Sequence, residues 1–137
     1  AFALVSDVYR SGSHFAGVAH LEEVDGEGRW RWELQERGFG PVKFRARYEA
    51  IYRCDPQRLR VEWAPPPRDA GDMESSGHWQ VTASTPESCR LDFFARTRAH
   101  VPAPAIMARM VDSIARQELR RLKAAYVAAI KGTLDGI

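Results

Sequence analysis

The side chains able to do chemistry are few and scattered. The histidines are His14, His20, His78 and His100. No HxH or HExxH spacing joins them, so no metal site is expected. His78 precedes Trp79, and strand alternation turns it to solvent. His14 lies in a loop near one end of the expected interior, and location alone makes it the best general-base candidate. Asp72 and Glu74 stand two apart beside a strand start. Paired carboxylates can do acid–base work, but an acid before a strand is ordinarily a solvated turn residue. Ser75, Ser76, Ser84 and Ser88 have no GxSxG context. Cys54 and Cys89 form no CxxC pair, so neither a disulfide framework nor a zinc site is expected. They read as reduced thiols within strands, which points to a reducing, cytoplasmic setting. No catalytic residue and no cofactor is assigned.

The aromatic residues are more informative. Trp30, Trp32, Phe44, Tyr48, Trp63, Trp79 and Phe93 all fall in phase with apolar strand faces. They either fill a core or line a pocket and stack on a flat or isoprenoid ligand. Met107, Met110 and Ile114 continue the apolar surface on a helix, and flexible thioethers suit a pocket that adapts to its contents. These ten residues are the expected ligand-binding set. Polar members of the inward set are Tyr48, Tyr52, Ser75 and Thr97. A buried phenol needs a hydrogen-bond partner, so one of the two tyrosines is placed to orient a ligand carbonyl.

Elements of two periods must hold these groups. Residues 2–10 carry an amphipathic helical pattern that Ser11–Gly12–Ser13 stops, and HFAGV reads as a second short helical turn. Period-two alternation follows over Val18–Val24, Arg29–Gln35, Val42–Cys54, Leu59–Trp63, Met73–Ala83 and Cys89–Arg96. Turns are marked by Asp25–Gly26, Gly38–Pro41, Asp55–Gln57, Pro65–Pro67 and Ser84–Glu87. From Pro104 the period becomes 3.6, with an apolar stripe from Met107 to Ile130 and a stop at Gly132. That helix spans about 28 residues, or about 42 Å. Strands joined by short turns make an antiparallel sheet. Its apolar face needs a cover, and the C-terminal helix is the element long enough to supply one.

This order resembles the helix-grip fold of the START/Bet v 1-like (SRPBCC) superfamily, which includes polyketide cyclase-like, coenzyme Q-binding and carbon monoxide dehydrogenase subunit-like proteins. The segments that carry the resemblance are FALVSDVYRSGSHFAGV, GRWRWEL, PVKFRARYEAIYRC, GDMESSGHWQV and PAPAIMARMVDSIARQELRRLKAAYVAAIKG. It implies an α+β fold with a curved antiparallel sheet gripping the long helix, one START-like ligand-binding domain over residues 1–137, and a cavity for apolar or amphipathic molecules. It also implies a first strand preceding Ala1.

The chain has 137 residues and a formal charge of +2. That charge is too mild and dispersed for a phosphate-tracking surface, so no nucleic-acid partner is expected. No 18-residue apolar run or signal-peptide pattern is present. The leading functional reading is a binding or carrier protein for a hydrophobic small molecule such as a lipid, quinone or polyketide-like compound. The alternative is a cyclase- or hydrolase-type enzyme using the same cavity. A third reading is an assembly factor that meets a protein or a membrane surface through the helix ends.

Overall fold

Strand alternation and the helical stripe meet across one interface in the computed structural model, which describes residues 1–39, 42–68 and 71–136. Two short helices come first, α1 (Phe2–Ser6) and α2 (Val8–Gly12). The single helix expected over residues 2–10 breaks at Asp7, which is extended and whose side chain accepts the Arg10 amide. An aspartate in that conformation caps a new helix more readily than it continues an old one. Residues 14–17 turn without forming the expected helical turn.

Among the described residues eight strands follow: β1 (Val18–Glu23), β2 (Arg29–Leu34), β3 (Arg37–Phe39), β4 (Val42–Phe44), β5 (Arg47–Asp55), β6 (Arg60–Ala64), β7 (Met73–Thr85) and β8 (Ser88–Ala99). Six of them form an antiparallel sheet in the order β1-β2-β5-β6-β7-β8, and β3 and β4 make a separate two-stranded ribbon. The one long strand expected over Val42–Cys54 is therefore interrupted at Arg45–Ala46. Phe44 and Ala46 are nonetheless both buried, so the alternation runs unbroken through the break. Gly40 and Pro41, part of an expected turn, lie outside the described residues, as do two residues of the expected loop at 68–72.

A 3-10 turn (Ala105–Met107) leads into α3 (Ala108–Asp135). The helix has the expected length but starts and stops about one turn late; Gly132 lies inside it. Its buried positions Val111, Ala115, Leu122, Tyr126 and Ile130 fall on one face at helical spacing. Several polar ties hold α3 to the rest of the fold, the Tyr126 hydroxyl with Ser11 and Trp79 among them. Arg37 pairs with Glu118 at 2.8 Å, Lys123 Nζ donates to the Ala95 carbonyl at 3.1 Å, and His14 Nε2 lies 2.7 Å from Thr133 Oγ1. Arg121 and Arg37 hold the Glu118 carboxyl below its ordinary range despite partial burial. The result is a curved antiparallel sheet closed by a long C-terminal helix, the helix-grip arrangement.

The core divides in two. One cluster joins Val8, Leu21, Trp32, Leu34, Phe44, Ala46, Tyr48 and Met73 to Val111 and Ala115. The other joins Leu4, Val5, Ala50, Val61, Trp63, Trp79 and Val81 to Tyr126 and Ile130. Among the described residues, no helix is long and apolar enough to cross a membrane.

Candidate functional site

The seam between the two clusters is incompletely filled. A cavity of about 60 Å³ lies there, lined by Val8, Trp32, Tyr48 and Met73 from the first cluster and by Val5, Trp63, Trp79 and Tyr126 from the second. Ser11, Phe15, Tyr52, Ser75, Phe93, Ala95, Thr97, Leu119 and Lys123 complete the wall. The sequence led us to expect a space of roughly 300–1,000 Å³, the usual range for a ligand pocket. The smaller volume is a correction with a clear cause: the rings fill the seam themselves.

Those rings form a connected chain. Trp32 stacks on Tyr48 at 6.0 Å and meets the edge of Phe15 at 6.2 Å. Phe15 contacts Tyr126 at 5.6 Å, and Tyr126 contacts Phe93 at 5.6 Å. Phe93 lies 4.7 Å from Trp79 and 5.8 Å from Trp63, and Trp63 lies 5.8 Å from Tyr52. Edge-on and offset contacts of this kind are favourable but leave small gaps between rings. Trp63 is fixed by its Nε1, which donates to the Ser75 hydroxyl at 3.2 Å.

Five of the ten residues expected to contact a ligand are therefore brought together here: Trp32, Tyr48, Trp63, Trp79 and Phe93. The other five lie elsewhere. Phe44 borders a separate void of about 20 Å³ beneath Leu119 and Leu122. Trp30, Met107 and Ile114 pack, half-buried, against the first cluster. Met110 is 47% exposed, so its expected place on the cavity wall is corrected. It immediately precedes Val111, the residue that does face inward, and one residue rotates a helical position by about 100°. Sequence reasoning missed Phe15, Ser11 and Lys123 as wall residues. Phe15 and Ser11 lie in irregular or short segments with no periodicity to read, and the helical pattern puts Lys123 on the solvated side of α3. Tyr126 carried a signal, being a phenol within an aliphatic stripe.

His14 is drawn away from the cavity. Its Nδ1 lies 2.9 Å from the Arg10 carbonyl while Nε2 engages Thr133. Both ring nitrogens are thus committed to holding α2 against α3. Asp72 is likewise structural, its carboxylate accepting the Arg47 amide at 3.0 Å. His78 stacks on Phe94 outside the interior. Cys54 and Cys89 are free and exposed. Among the described residues, no carboxylate or imidazole lines the cavity, and no group of three possible ligands could hold a metal ion.

Electrostatics keep the interior neutral. Burial pushes the Tyr48, Tyr52 and Tyr126 phenols above their ordinary value of 10.0. The fold therefore holds these protons at a pH where the unfolded chain releases them. By linkage, their contribution is complete below pH 10 and is lost as pH rises above it. We expect the urea midpoint to fall as pH is raised past 10, and the phenolate absorbance of these tyrosines to emerge with unfolding rather than before it. Absorbance and denaturation measured on the same samples check both. A rise of three phenolates in the fully folded protein would contradict the burial described.

At its rim the cavity opens towards α3 and the free edge of β8. Phe93, Ala95 and Lys123 border both the cavity and a surface groove of about 610 Å³, which continues along Phe94, Ala124, Val127, Ala128 and Lys131. Lys123 stands between the two spaces. Burial lowers its ammonium below the ordinary lysine range.

With this geometry in view, comparison with solved structures gives a consistent answer. The ZhuI aromatase/cyclase from a Streptomyces species aligns with 98% of this chain and 84% of its own, at 16% identity and a TM-score of 0.69. A Thermus thermophilus protein aligns with 96% of this chain and 88% of its own, at 19% identity and a TM-score of 0.62. A conserved Geobacillus kaustophilus protein aligns with 98% and 86%, at 18% identity and a TM-score of 0.61. The shared feature is the helix-grip fold. At these identities the likeness establishes the fold alone. No protein-family model matches the chain, and no curated protein matches it.

Proposed function

We propose that residues 1–137 act as a START-like module that binds a hydrophobic small molecule between sheet and helix. The observation that carries this reading is the aromatic-walled cavity at the seam of two otherwise separate cores, which shares Phe93, Ala95 and Lys123 with an apolar surface groove. Interiors ordinarily pack to crystal-like density, so an unfilled, largely aromatic-walled space is a ready place for an apolar guest. The space is smaller than the ~150 Å³ void that takes up benzene, so even a single-ring guest has to displace the Phe93 ring or separate α3 from β8 at Lys123.

Binding is favoured over catalysis by the composition of the wall. A cyclase or hydrolase needs a group that exchanges protons near its working pH. The wall offers only buried phenols, hydroxyls and the rim lysine. The aromatase/cyclase activity named for the Streptomyces neighbour is the alternative. If it applied here, a buried tyrosine or the rim Lys123 would have to act as the acid. The exposed Ile106 in the 3-10 turn and Met110 in the first turn of α3 are the side chains a peripheral membrane contact would use.

Native mass spectrometry of freshly purified protein, followed by extraction of anything retained, tests the proposal. We expect a mass increment from a non-covalent apolar compound, or saturable uptake of one supplied afterwards. A chain that copurifies with nothing and takes up no apolar compound would count against the carrier reading. A supplied polyketide-like chain released in altered form would favour the enzyme.

A further inference from the structure

β8 ends the main sheet. None of its residues is buried, whereas β7 beside it buries Met73, Ser75, Trp79 and Val81. Two contacts give its hydrogen-bonding phase. The His100 amide donates to the Asp72 carbonyl, and this pair continues the register that sets Met73 opposite Ala99 and Ser75 opposite Thr97. Facing residues of an antiparallel pair alternate between exchanging both backbone bonds and exchanging none. Asp92, Phe94, Arg96 and Arg98 therefore bond to β7. Leu91, Phe93, Ala95, Thr97 and Ala99 turn their amides and carbonyls away from it. Lys123 agrees with this phase, because its Nζ donates to the Ala95 carbonyl from the free side. Among the described residues, no other element bonds to that row. Such a row of unpaired groups is a template for another strand.

The surroundings of the row select the strand. Arg90, Asp92, Phe94, Arg96 and Arg98 alternate onto the outer face of β8. Arg90 is held by Asp92. Arg96 and Arg98 form no ion pair among the described residues, although Arg98 stands opposite Glu74 in register. On the inner side, the groove between this edge and α3 runs over Ala124, Val127 and Ala128, whose small side chains leave room for larger apolar ones. We propose that the β8 edge takes up an extended segment of a partner protein as an added strand, one that alternates acidic side chains set against Arg96 and Arg98 with apolar side chains set into the groove over Val127. Backbone bonds along the row supply affinity, and the alternation supplies choice. A second copy of this chain is a poorer occupant. β8 carries three arginines against one aspartate, and self-pairing doubles that excess. The inference is independent of the ligand-binding reading, although an added strand would cover the cavity rim at Phe93 and Ala95.

The test compares two dye-labelled, end-capped peptides, one alternating valine with glutamate and the other valine with lysine. Fluorescence anisotropy measures binding, and amide hydrogen exchange followed by NMR locates it. The glutamate peptide is expected to bind saturably and to slow exchange at the Phe93, Ala95 and Thr97 amides at least about tenfold. The amides of Phe94 and Arg96, already bonded to β7, should change little. The lysine peptide is expected to bind about tenfold more weakly, because like charges across a strand pair oppose what opposite charges favour. Arg96→Glu combined with Arg98→Glu, both at exposed positions, should reverse that preference; if this variant fails to fold, the two peptides on the unaltered protein still decide. Equal affinity for the two peptides, or no binding of the glutamate peptide, would overturn the proposal. So would Phe93 and Thr97 amides already protected without peptide, or protected in step with dimer formation as protein concentration rises.

Discussion

Trp79→Ala is expected to lower the free energy of unfolding by about 3–5 kcal/mol, the range for removing a large ring from a packed core. Trp79 is 2% exposed and sits where strand and helix meet. Its ring lies 4.7 Å from Phe93 and 5.7 Å from Tyr126, so it joins β7, β8 and α3 at once. The neighbouring cavity gives Phe93 and Tyr126 some room to collapse inward, which places the expected loss nearer the lower end of that range. Urea titration followed by circular dichroism measures it. A loss under about 0.5 kcal/mol would be a surface value and would mean that β7 is out of register by one residue.

Gly77→Ala is expected to cost about 3 kcal/mol, even though it adds a single methyl group. Gly77 pairs with Trp63 on one side and Ala95 on the other. A Cβ built there would stand 2.1 Å from the Phe94 carbonyl oxygen, 2.8 Å from the Trp63 ring and 2.9 Å from the Ala95 Cα. Two of those three neighbours are backbone, so relief requires the β7–β8 pair to shift. Forced insertion into a packed site costs roughly 1–3 kcal/mol and occasionally more; the backbone obstruction puts this case at the upper end. The missing side chain is also what lets Trp63 lie over the sheet, reach Ser75 and face the cavity. Gly77→Ala should therefore alter tryptophan emission as well as stability. A variant with native stability and unchanged emission would show that the space around Gly77 is less tightly closed by Phe94, Trp63 and Ala95 than described.

The sheet was legible because period-two alternation is local. Trp32 and Leu34, Val61 and Trp63, and Trp79 and Val81 are buried on the inward phase read from the sequence. The long helix was legible for the same reason at period 3.6. Breaks that preserve the side-chain phase leave no mark in the pattern. Phe44 and Ala46 keep their inward positions across the gap between β4 and β5, so nothing in the alternation announces that the chain leaves one sheet and enters another. The split at Asp7 is hidden because both halves of the segment are helical. Met110 is misplaced by periodicity because a broad apolar stripe does not reveal which of two adjacent positions faces inward.

The site was less legible than the fold. Its wall joins residues from α1, α2, five strands, α3 and the turn carrying Phe15, and no local period connects them. The aromatic content of the interior could be read from Trp32, Tyr48, Trp63, Trp79 and Phe93. The free space could not, because it is the small remainder after large rings have settled at particular angles. Lys123 looks like a solvated helix residue in the sequence. Its position at the portal depends on how far β8 lies from α3, a tertiary distance that helical periodicity does not encode.

Entry of an apolar molecule into the seam beneath Trp63, Phe93 and Tyr126 is tested by an ethylbenzene titration of isotope-labelled protein, with shift changes mapped residue by residue. Saturable one-to-one binding is expected, with the largest changes at Val5, Val8, Ala95, Thr97 and Leu119, and loss of that response when Thr97→Phe fills the space. Changes confined to the exposed Ile106 and Met110, or a response that rises linearly and is indifferent to Thr97→Phe, would contradict it.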